Sequence, residues 1–293
     1  MTFRLLALVS LLIPTTLVSA QSERVTVRMA PAPNQTLHLR TTQDMAMTTE
    51  TSGDGSAPFP ATAVKLHSVV DATSAVGPTD HDGHYTAKMT IDSIVATAIM
   101  NGRELPIPMV AEQAAKQVIT FSYDDQGKVI DVALDGPLGG APAEMLKQIM
   151  TRAFATVEPM TLSVGESVTV PTALNLALPA GGPAVPMGIE GQTRYTLTSV
   201  TFDGADRIAH LTSHTTNTIN QGSPSTVPAG SPFALALTMT ADGKSDVNVD
   251  RGIVLHAEQQ GTMEAAVGGP TTEQKTPNVR MQGTFTIASD LEK

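Results

Sequence analysis

The chain has 293 residues and a formal charge of −10 at neutral pH, and it contains no Cys and no Trp. The missing thiols exclude disulfides, iron–sulfur clusters, thiolate zinc sites and a cysteine nucleophile. The acidic balance, 18 Lys and Arg against 28 Asp and Glu, argues against nucleic acid and against an anionic lipid surface as partners. Hydrophobic residues make up 41% of the chain, which is enough for a folded core.

The first twenty residues have the pattern of a secretory signal peptide. Arg4 supplies a positive charge, residues 5–18 are mostly apolar, and Val18-Ser19-Ala20 places small residues at the cleavage position. The apolar stretch is shorter than the roughly 20 residues that a bilayer span needs. We therefore expect cleavage after Ala20 and export of residues 21–293 to the periplasm or the medium, with no integral membrane span after cleavage. The alternative is that the segment stays uncleaved as an N-terminal anchor.

Alternation of large apolar residues with small or polar ones predicts β-strands along most of the chain. The clearest stretch is 233–240, where Phe, Leu, Leu and Met alternate with Ala and Thr. The 39 Thr residues suit the wetted face of a sheet because Thr is β-branched. Strands are predicted at 36–49, 62–73, 84–100, 118–134, 167–178, 191–202, 207–219, 233–249, 253–266 and 280–288.

Asp-Gly pairs and related sequences predict hairpin turns between these strands, so adjacent strands are expected to be antiparallel. The turn signals are Asp82-Gly83, Asp124-Asp125-Gln126-Gly127, Asp203-Gly204 and Ala241-Asp242-Gly243-Lys244. Two stretches rich in Gly, Pro and Ser, 53–60 and 221–232, are predicted to be long loops.

One segment has helical periodicity. Its apolar residues recur with spacings that place them on one stripe of an amphipathic helix, predicted at 142–158 with its stripe against a sheet face. Pro142 suits the first turn and Pro159 ends it. The helix divides a single β-rich domain into two halves of similar strand order, predicted as repeats at 35–135 and 162–291. The apolar stripe consists of Met145, Leu146, Ile149, Met150, Ala153, Phe154 and Val157.

The order of several motifs resembles an uncharacterised family of secreted bacterial proteins. Where the family pattern has Trp after Val-Gly-Glu-Ser, this chain has Val168. The resemblance covers roughly residues 35–291 and implies an exported, mainly β domain without an assigned activity. The motifs are Phe121-Ser-Tyr-Asp-Asp-Gln-Gly-Lys-Val-Ile-Asp131, the helix, Val164-Gly165-Glu166-Ser167, Tyr195-Thr-Leu-Thr-Ser-Val200 with Asp203-Gly204, and Val249-Asp250-Arg251-Gly252.

The predicted architecture is also similar to the half-open β-barrels that carry lipids or lipoproteins in bacterial envelopes, in which helices close a curved antiparallel sheet. The expected fold class is therefore mainly β: long antiparallel strands in a curved sheet or half-barrel, with two related halves joined by one amphipathic helix. A likeness of architecture does not by itself determine function.

The densest group of polar side chains is Asp80-His81-Asp82-Gly83-His84. Asp80, His81, Asp82 and His84 are candidate metal ligands, because a turn can direct imidazole and carboxylate groups toward one point and these groups suit Zn²⁺ or a similar ion. The alternative is a solvated hairpin tip in which Asp and Gly serve the geometry of the turn.

The chain uses Met heavily, with 14 Met against 7 Phe and 3 Tyr. Met is flexible and polarizable, so it suits surfaces that accept varied apolar partners. Met145, Met150, Phe154 and Met239 are therefore candidate lining residues of an apolar ligand site, and Met45 and Met47 extend the same pattern. The alternative is a core in which Met takes the place of aromatic residues.

No enzymatic signature is present: Gly-x-Ser-x-Gly, Ser-x-x-Lys and His-Glu-x-x-His do not occur in the sequence. No cofactor is predicted. We expect an exported, non-enzymatic binding or carrier module for an apolar or amphipathic molecule. The alternative is a structural or protein-interaction module of the cell envelope that has no small ligand.

Overall fold

The computed structural model describes residues 24–28, 30–52, 62–106, 116–136, 147, 150–151, 158–178, 185–220, 234–268 and 278–292. These residues lie mainly in antiparallel strands. The strands are β1 (Val25–Val27), β2 (Thr36–Ser52), β3 (Thr62–Val76), β4 (Tyr85–Met100), β5 (Arg103–Pro106), β6 (Val118–Tyr123), β7 (Val129–Asp135), β8 (Met160–Leu162), β9 (Ser167–Leu178), β10 (Val185–Asp203), β11 (Asp206–Asn220), β12 (Ala234–Asn248), β13 (Ile253–Gly268) and β14 (Asn278–Glu292).

One 12-stranded sheet contains most of the structure, in the order β7-β6-β4-β3-β2-β14-β13-β12-β11-β10-β9 with β5 paired to β4. β1 and β8 form a separate two-stranded sheet. Pairing of β14 with β2 joins the strands that follow residue 160 to those that precede it. Within the described residues, the outer strands β7 and β9 do not pair with each other, so the sheet is open. The predicted mainly β, antiparallel fold class is confirmed.

The cross-strand register gives the large sheet one apolar face and one polar face. Partners in neighbouring strands direct their side chains to the same side, and consecutive residues alternate sides. The face that contains Leu197 and its partner Leu211 carries most of the large aliphatic and methionine side chains, and we call it the apolar face. The face that contains Thr196 and its partner Thr212 is rich in Thr and charged residues, and we call it the polar face.

The first buried cluster forms where the two-stranded sheet packs on the apolar face. Val25 and Val27 of β1, and Met160 and Leu162 of β8, are each at most 6% exposed, whereas the Thr between each pair faces outward. Burying a side chain of this size contributes about 1.5–3 kcal/mol, which attaches the short sheet to the large one. The residues that these four contact are Leu197, Ala209, Leu211 and Val247.

The second buried cluster lies near the opposite edge of the large sheet, around β6 and β7. β6 buries alternate residues, and the rings of Tyr85 and Tyr123 stack with centroids 4.9 Å apart. Met150 and Leu134 pack against this cluster. Its buried members are Ala30, Val76, Ala87, Ile119, Phe121, Tyr123, Val129 and Val132.

Gly261 in β13 marks a crowded point on the apolar face. A Cβ atom at this position would lie 2.7 Å from Cζ of Phe285 and 2.8 Å from Cβ of Ala241, closer than carbon atoms approach each other. Only Gly fits where neighbouring strands come this close, and such a position is typical of a bend in a sheet.

The predicted turn at Asp242-Gly243 is wrong. β12 runs without interruption from Ala234 to Asn248, and Asp242 pairs with His214 on one side and Gln260 on the other. Pairing along both edges of β12 outweighs the local preference of Asp-Gly for a turn. The turns at 82–83, 124–127 and 203–204 are confirmed, and the turn at 124–127 is closed by hydrogen bonds from Asp124 N to Lys128 O and from Gly127 N to Asp124 O.

The predicted amphipathic helix, 142–158, lies largely outside the described residues. Lys147, Met150 and Thr151 have helical backbone, and no complete helix is established in the described part of the chain. The helix therefore stays a prediction, as does the relation between the halves 35–135 and 162–291. The predicted signal peptide 1–20 and the predicted loops 53–60 and 221–232 also fall outside the described residues.

Candidate functional site

The main candidate site is a methionine patch on the apolar face. Met239, Met263, Gly283 and Met47 are successive partners across β12, β13, β14 and β2, so they form one row across the sheet. Met45 and Met281 lie on the same face in the adjacent rows: Met45 is the partner of Phe285, and Met281 is the partner of Ala265. We define the patch as Met45, Met47, Met239, Met263 and Met281.

Two of these side chains converge above Gly283. A Cβ atom placed on Gly283 would lie 2.9 Å from Cγ of Met47 and 3.2 Å from Cγ of Met263. The thioether chains of Met47 and Met263 therefore occupy the space that a larger residue at this position would take. Both remain partly exposed, unlike Phe285 one row away, which is 5% exposed. The result is a partly covered apolar surface made of adaptable side chains.

The methionine patch lies far along the strands from the first buried cluster. Gly191 of β10 is in the same row as Met239, and Leu197 of the buried cluster is six residues further along that strand. At about 3.3 Å per residue the separation is about 20 Å. The two-stranded sheet packs at the Leu197 end, so it does not belong to this patch.

The predicted apolar lining residues are not all found together. Met239 belongs to the methionine patch, whereas Met150 packs against the second buried cluster. Met145 and Phe154 lie outside the described residues. Sequence reasoning selected Met45, Met47 and Met239 but overlooked Met263 and Met281. Their alternation with Thr262 and Gln282 was the available signal, because it places both Met side chains on the apolar side of their strands.

The predicted metal ligands lie at the exposed turn between β3 and β4. Ligand atoms of Asp80, His81 and Asp82 lie within 4.8 Å of one another, and His84 is not part of this group. Oδ1 of Asp80 accepts hydrogen bonds from the backbone N–H groups of Asp82 and His84, both at 2.9 Å. The carboxylate of Asp80 thus caps the turn.

Electrostatics agree with a turn-forming role for Asp80. Desolvation acts to raise the pKa of this carboxyl, but the backbone hydrogen bonds from His84 and Asp82, with the nearby imidazoles of His84 and His81, together hold the pKa below its usual value. The lone ion-pair geometry in the group is His81 Nε2 to Asp82 Oδ2 at 3.1 Å. These contacts support the interpretation as a solvated turn, and metal binding stays a prediction.

The polar face carries four cross-strand His–Asp pairs that local sequence does not reveal. In each pair Nδ1 of the imidazole lies 2.6–2.8 Å from Oδ1 of the carboxylate, and the two residues are direct partners in the register. Each pair places an imidazole beside a carboxylate across two strands. These contacts disfavour a shifted strand register, because a one-residue slip would send every side chain to the other face. The pairs are His67–Asp44, His210–Asp246, His214–Asp242 and His256–Asp290.

His210 has a second partner, because its Nε2 lies 2.8 Å from Oγ1 of Thr201. The order Asp246, His210, Thr201 is that of an acid–base–hydroxyl triad. Thr201 is an exposed residue near the end of β10, so an intermediate formed on its hydroxyl would be open to solvent. We therefore assign this arrangement to the structure of the sheet.

A trough of about 500 Å³ crosses the polar face from β2 to β10. Charged groups along it are already paired: Lys244 Nζ lies 3.3 Å from Glu258 Oε1, and His214 is bound to Asp242. Arg194 donates to Ser167 Oγ at 3.4 Å. Of these charged groups, Arg194 alone has a neutral partner, so the trough carries little unpaired charge.

No protein-family model matches the chain, and comparison with curated proteins gives no match either. Among solved structures, the chain is similar to the crystal structure of Pseudomonas aeruginosa OccK5 (OpdH), at 7% sequence identity with a TM-score of 0.28. The alignment covers 90% of this chain and 100% of that chain. A TM-score this low establishes neither a shared fold nor a shared function.

In the described ranges, no helix combines the length and the apolar character that crossing a bilayer requires.

Proposed function

We propose that the protein is an exported, non-enzymatic binding or carrier module, and that the methionine patch receives an apolar or amphipathic ligand. The observation that carries the proposal is the patch of partly exposed methionines on the neighbouring strands β12, β13, β14 and β2. A packed core contains fully buried aliphatic side chains, as the Leu197 end does, whereas this end offers apolar surface that is only partly covered.

The chemistry of the patch fits an apolar chain better than a polar ligand. Thioether side chains adapt to irregular shapes, and each methylene that a ligand buries contributes about 0.8 kcal/mol. Aliphatic neighbours such as Val64 continue the same row on β3, because Val64 is the partner of Met47. An acyl chain lying across these strands would contact several methionines in succession.

Native mass spectrometry of the protein purified from a bacterial host, beside an organic extraction, is the first test. We expect an adduct that is lost on denaturation and recovered in the organic phase.

The second test is a titration with cis-parinaric acid, a fluorescent fatty acid, with saturable binding as the expected result.

A matched pair of variants in β13 locates the site. Met263→Glu should weaken parinaric acid binding at least tenfold, since about 1.4 kcal/mol corresponds to a factor of ten and burial of a Met side chain is worth about that much or more. Thr262→Glu adds the same charge on the polar face and should change the affinity less than about twofold. Equal losses in the two variants, or no saturable binding by the parent protein, would contradict the proposal. Met239→Ala serves as a milder variant if Met263→Glu does not fold.

A protein-interaction module of the envelope is the second candidate, and exposed apolar side chains near β5 favour it. Val95 is 59% exposed and Ile99 is 40% exposed, and their spacing on β4 places both side chains on the same face. Crosslinking in the native host with Val95→Lys as a control tests this candidate. A specific protein that is captured by the parent and lost in the variant would support it.

A further inference from the structure

An arginine-lined cleft of about 460 Å³ lies between the two buried clusters, at the end of the large sheet that they occupy, which we call the packed end. Its walls come from the N-terminal segment around β1, the turns at 79–85 and 125–127, and the turn at 249–252. Four of the ten arginines in the sequence line it, although acidic residues outnumber basic ones in the chain as a whole. These arginines are Arg24, Arg28, Arg207 and Arg251.

Two of the four arginines are neutralised by carboxylates. Arg207 holds Asp250 through NH2 to Oδ1 at 2.6 Å, and its backbone N–H donates to Oδ2 of the same residue at 2.7 Å. These hydrogen bonds from Arg207 hold the pKa of Asp250 below its usual value. Arg24 lies more loosely, 3.7 Å from Glu166.

The other two arginines lack a carboxylate partner among the described residues. Arg28 forms no hydrogen bond or ion pair with the described part of the chain, and its charge acts on the hydroxyl of Tyr85, which also lines the cleft. Arg251 donates from NH2 to the amide oxygen of Gln35 at 3.0 Å, which leaves its positive charge uncompensated. The cleft therefore holds a local excess of positive charge, because only Asp125 and Asp250 are acidic among its lining residues.

The backbone fixes the walls of the cleft. Ala32 N donates to Arg251 O at 2.9 Å, and Val76 N donates to Gln35 O at 2.8 Å, so the segment after β1 is tied to both halves of the large sheet. Ala30 packs directly on Gly127, whose added Cβ would lie 2.7 Å from Cβ of Ala30. The arginines thus project from elements that are held together before any ligand binds.

We propose that this cleft binds a phosphate group. Guanidinium groups form charge-assisted, often bidentate hydrogen bonds with phosphate, and several arginines approaching from separate elements suit a tetrahedral dianion with several acceptor oxygens better than a planar carboxylate. The phosphate comes either from a free phosphate compound or from the headgroup of a lipid, and both sources present the same group to Arg28 and Arg251. The inference does not depend on the methionine patch.

Isothermal titration calorimetry of the purified exported protein with inorganic phosphate, at constant ionic strength, tests the proposal. We expect one site with a dissociation constant of about 1 mM, which two or three charge-assisted hydrogen bonds can supply. A parallel titration with short-chain phosphatidic acid separates the two sources. Binding at least tenfold tighter than inorganic phosphate that is weakened by Arg28→Gln but not by Met263→Glu identifies a lipid headgroup, and any other result identifies a free phosphate compound.

Three variants that each remove one positive charge test whether phosphate binds in the cleft. Arg28→Gln should weaken phosphate binding about tenfold without changing the thermal midpoint of the free protein, because Arg28 has no partner to lose among the described residues. Arg251→Gln should weaken binding similarly. Arg280→Gln is the control, since Arg280 lies on the polar face of β14 beside Glu264, away from the cleft, and should leave the affinity within twofold. Absence of saturable binding, or the same loss in the control as in Arg28→Gln, would overturn the proposal.

Discussion

The two ends of the apolar face are built from the same alternating pattern but differ in burial. At one end Leu197 and Leu211 are at most 2% exposed, because β1 and β8 pack on them. At the other end Met239 and Met263 remain partly exposed. Alternation therefore determines which side of a strand is apolar, whereas the presence of a covering element determines whether that side is core or accessible surface.

The largest expected effect comes from truncating one residue at each end. Leu197→Ala should lower the free energy of unfolding by about 2–5 kcal/mol, because it leaves a cavity among fully buried side chains. Met239→Ala should lower it by only about 1 kcal/mol, because a partly exposed site loses less packing. Urea unfolding with linear extrapolation measures both values. Similar losses would mean that the two ends are equally packed.

The crowded glycine between the two ends provides a sharper probe of the sheet. Gly261→Ala should cost about 1–3 kcal/mol, because the new methyl group would meet Phe285 and Ala241 and force neighbouring strands apart. Thr262→Ala, the next residue on the polar face, should change stability by less than about 0.5 kcal/mol. Thermal unfolding of both variants gives the comparison, and a harmless Gly261→Ala would show that the strands at this point can separate freely.

The smallest effect under ordinary conditions concerns the three tyrosines, which all lie at the packed end. Burial raises the pKa of Tyr85, Tyr123 and Tyr195, with further contributions from Asp124 to Tyr85 and from Tyr85 to Tyr123, while Arg28 acts in the opposite direction on Tyr85. A pKa raised in the folded state means that the unfolded chain loses its protons first. The associated stability is present below about pH 10 and decreases as the pH rises above it.

Tyrosinate absorbance during an alkaline titration measures this effect. In the folded protein the three residues should ionise above pH 10, in the order of their burial or together with unfolding. In denaturant all three should titrate near pH 10. Reversible titration of all three tyrosines near pH 10 in the folded protein would show that the packed end admits water.

Much of the strand layout was predictable because period-two alternation is a local property. Alternation predicts strands at residues 36–49 and 62–73, and β2 and β3 include both ranges. The Asp242-Gly243 turn failed because the same two residues are held in β12 by pairing with strands on both sides. Local turn preference is worth too little to interrupt a strand that is paired along both edges.

The candidate sites were less predictable, because their partners are distant in sequence. His214 and Asp242 are 28 residues apart, and His210 and Asp246 are 36 apart. β1 and β8 are each three residues long, too short for a periodic signal, yet they cover the Leu197 end. The arginine-lined cleft likewise joins Arg28 to Arg251 from opposite ends of the chain.

The sequence alone determined the mainly β class, the antiparallel pairing, most turns, and the side of each strand that is apolar. These properties follow from the pleat of a single strand and from the backbone preferences of a few turn residues. Only the tertiary structure decided which part of the apolar face is covered, which histidines meet carboxylates, and where arginines gather in an acidic protein. Burial and electrostatic potential depend on elements brought together across long sequence distances, and no short window of sequence contains that information.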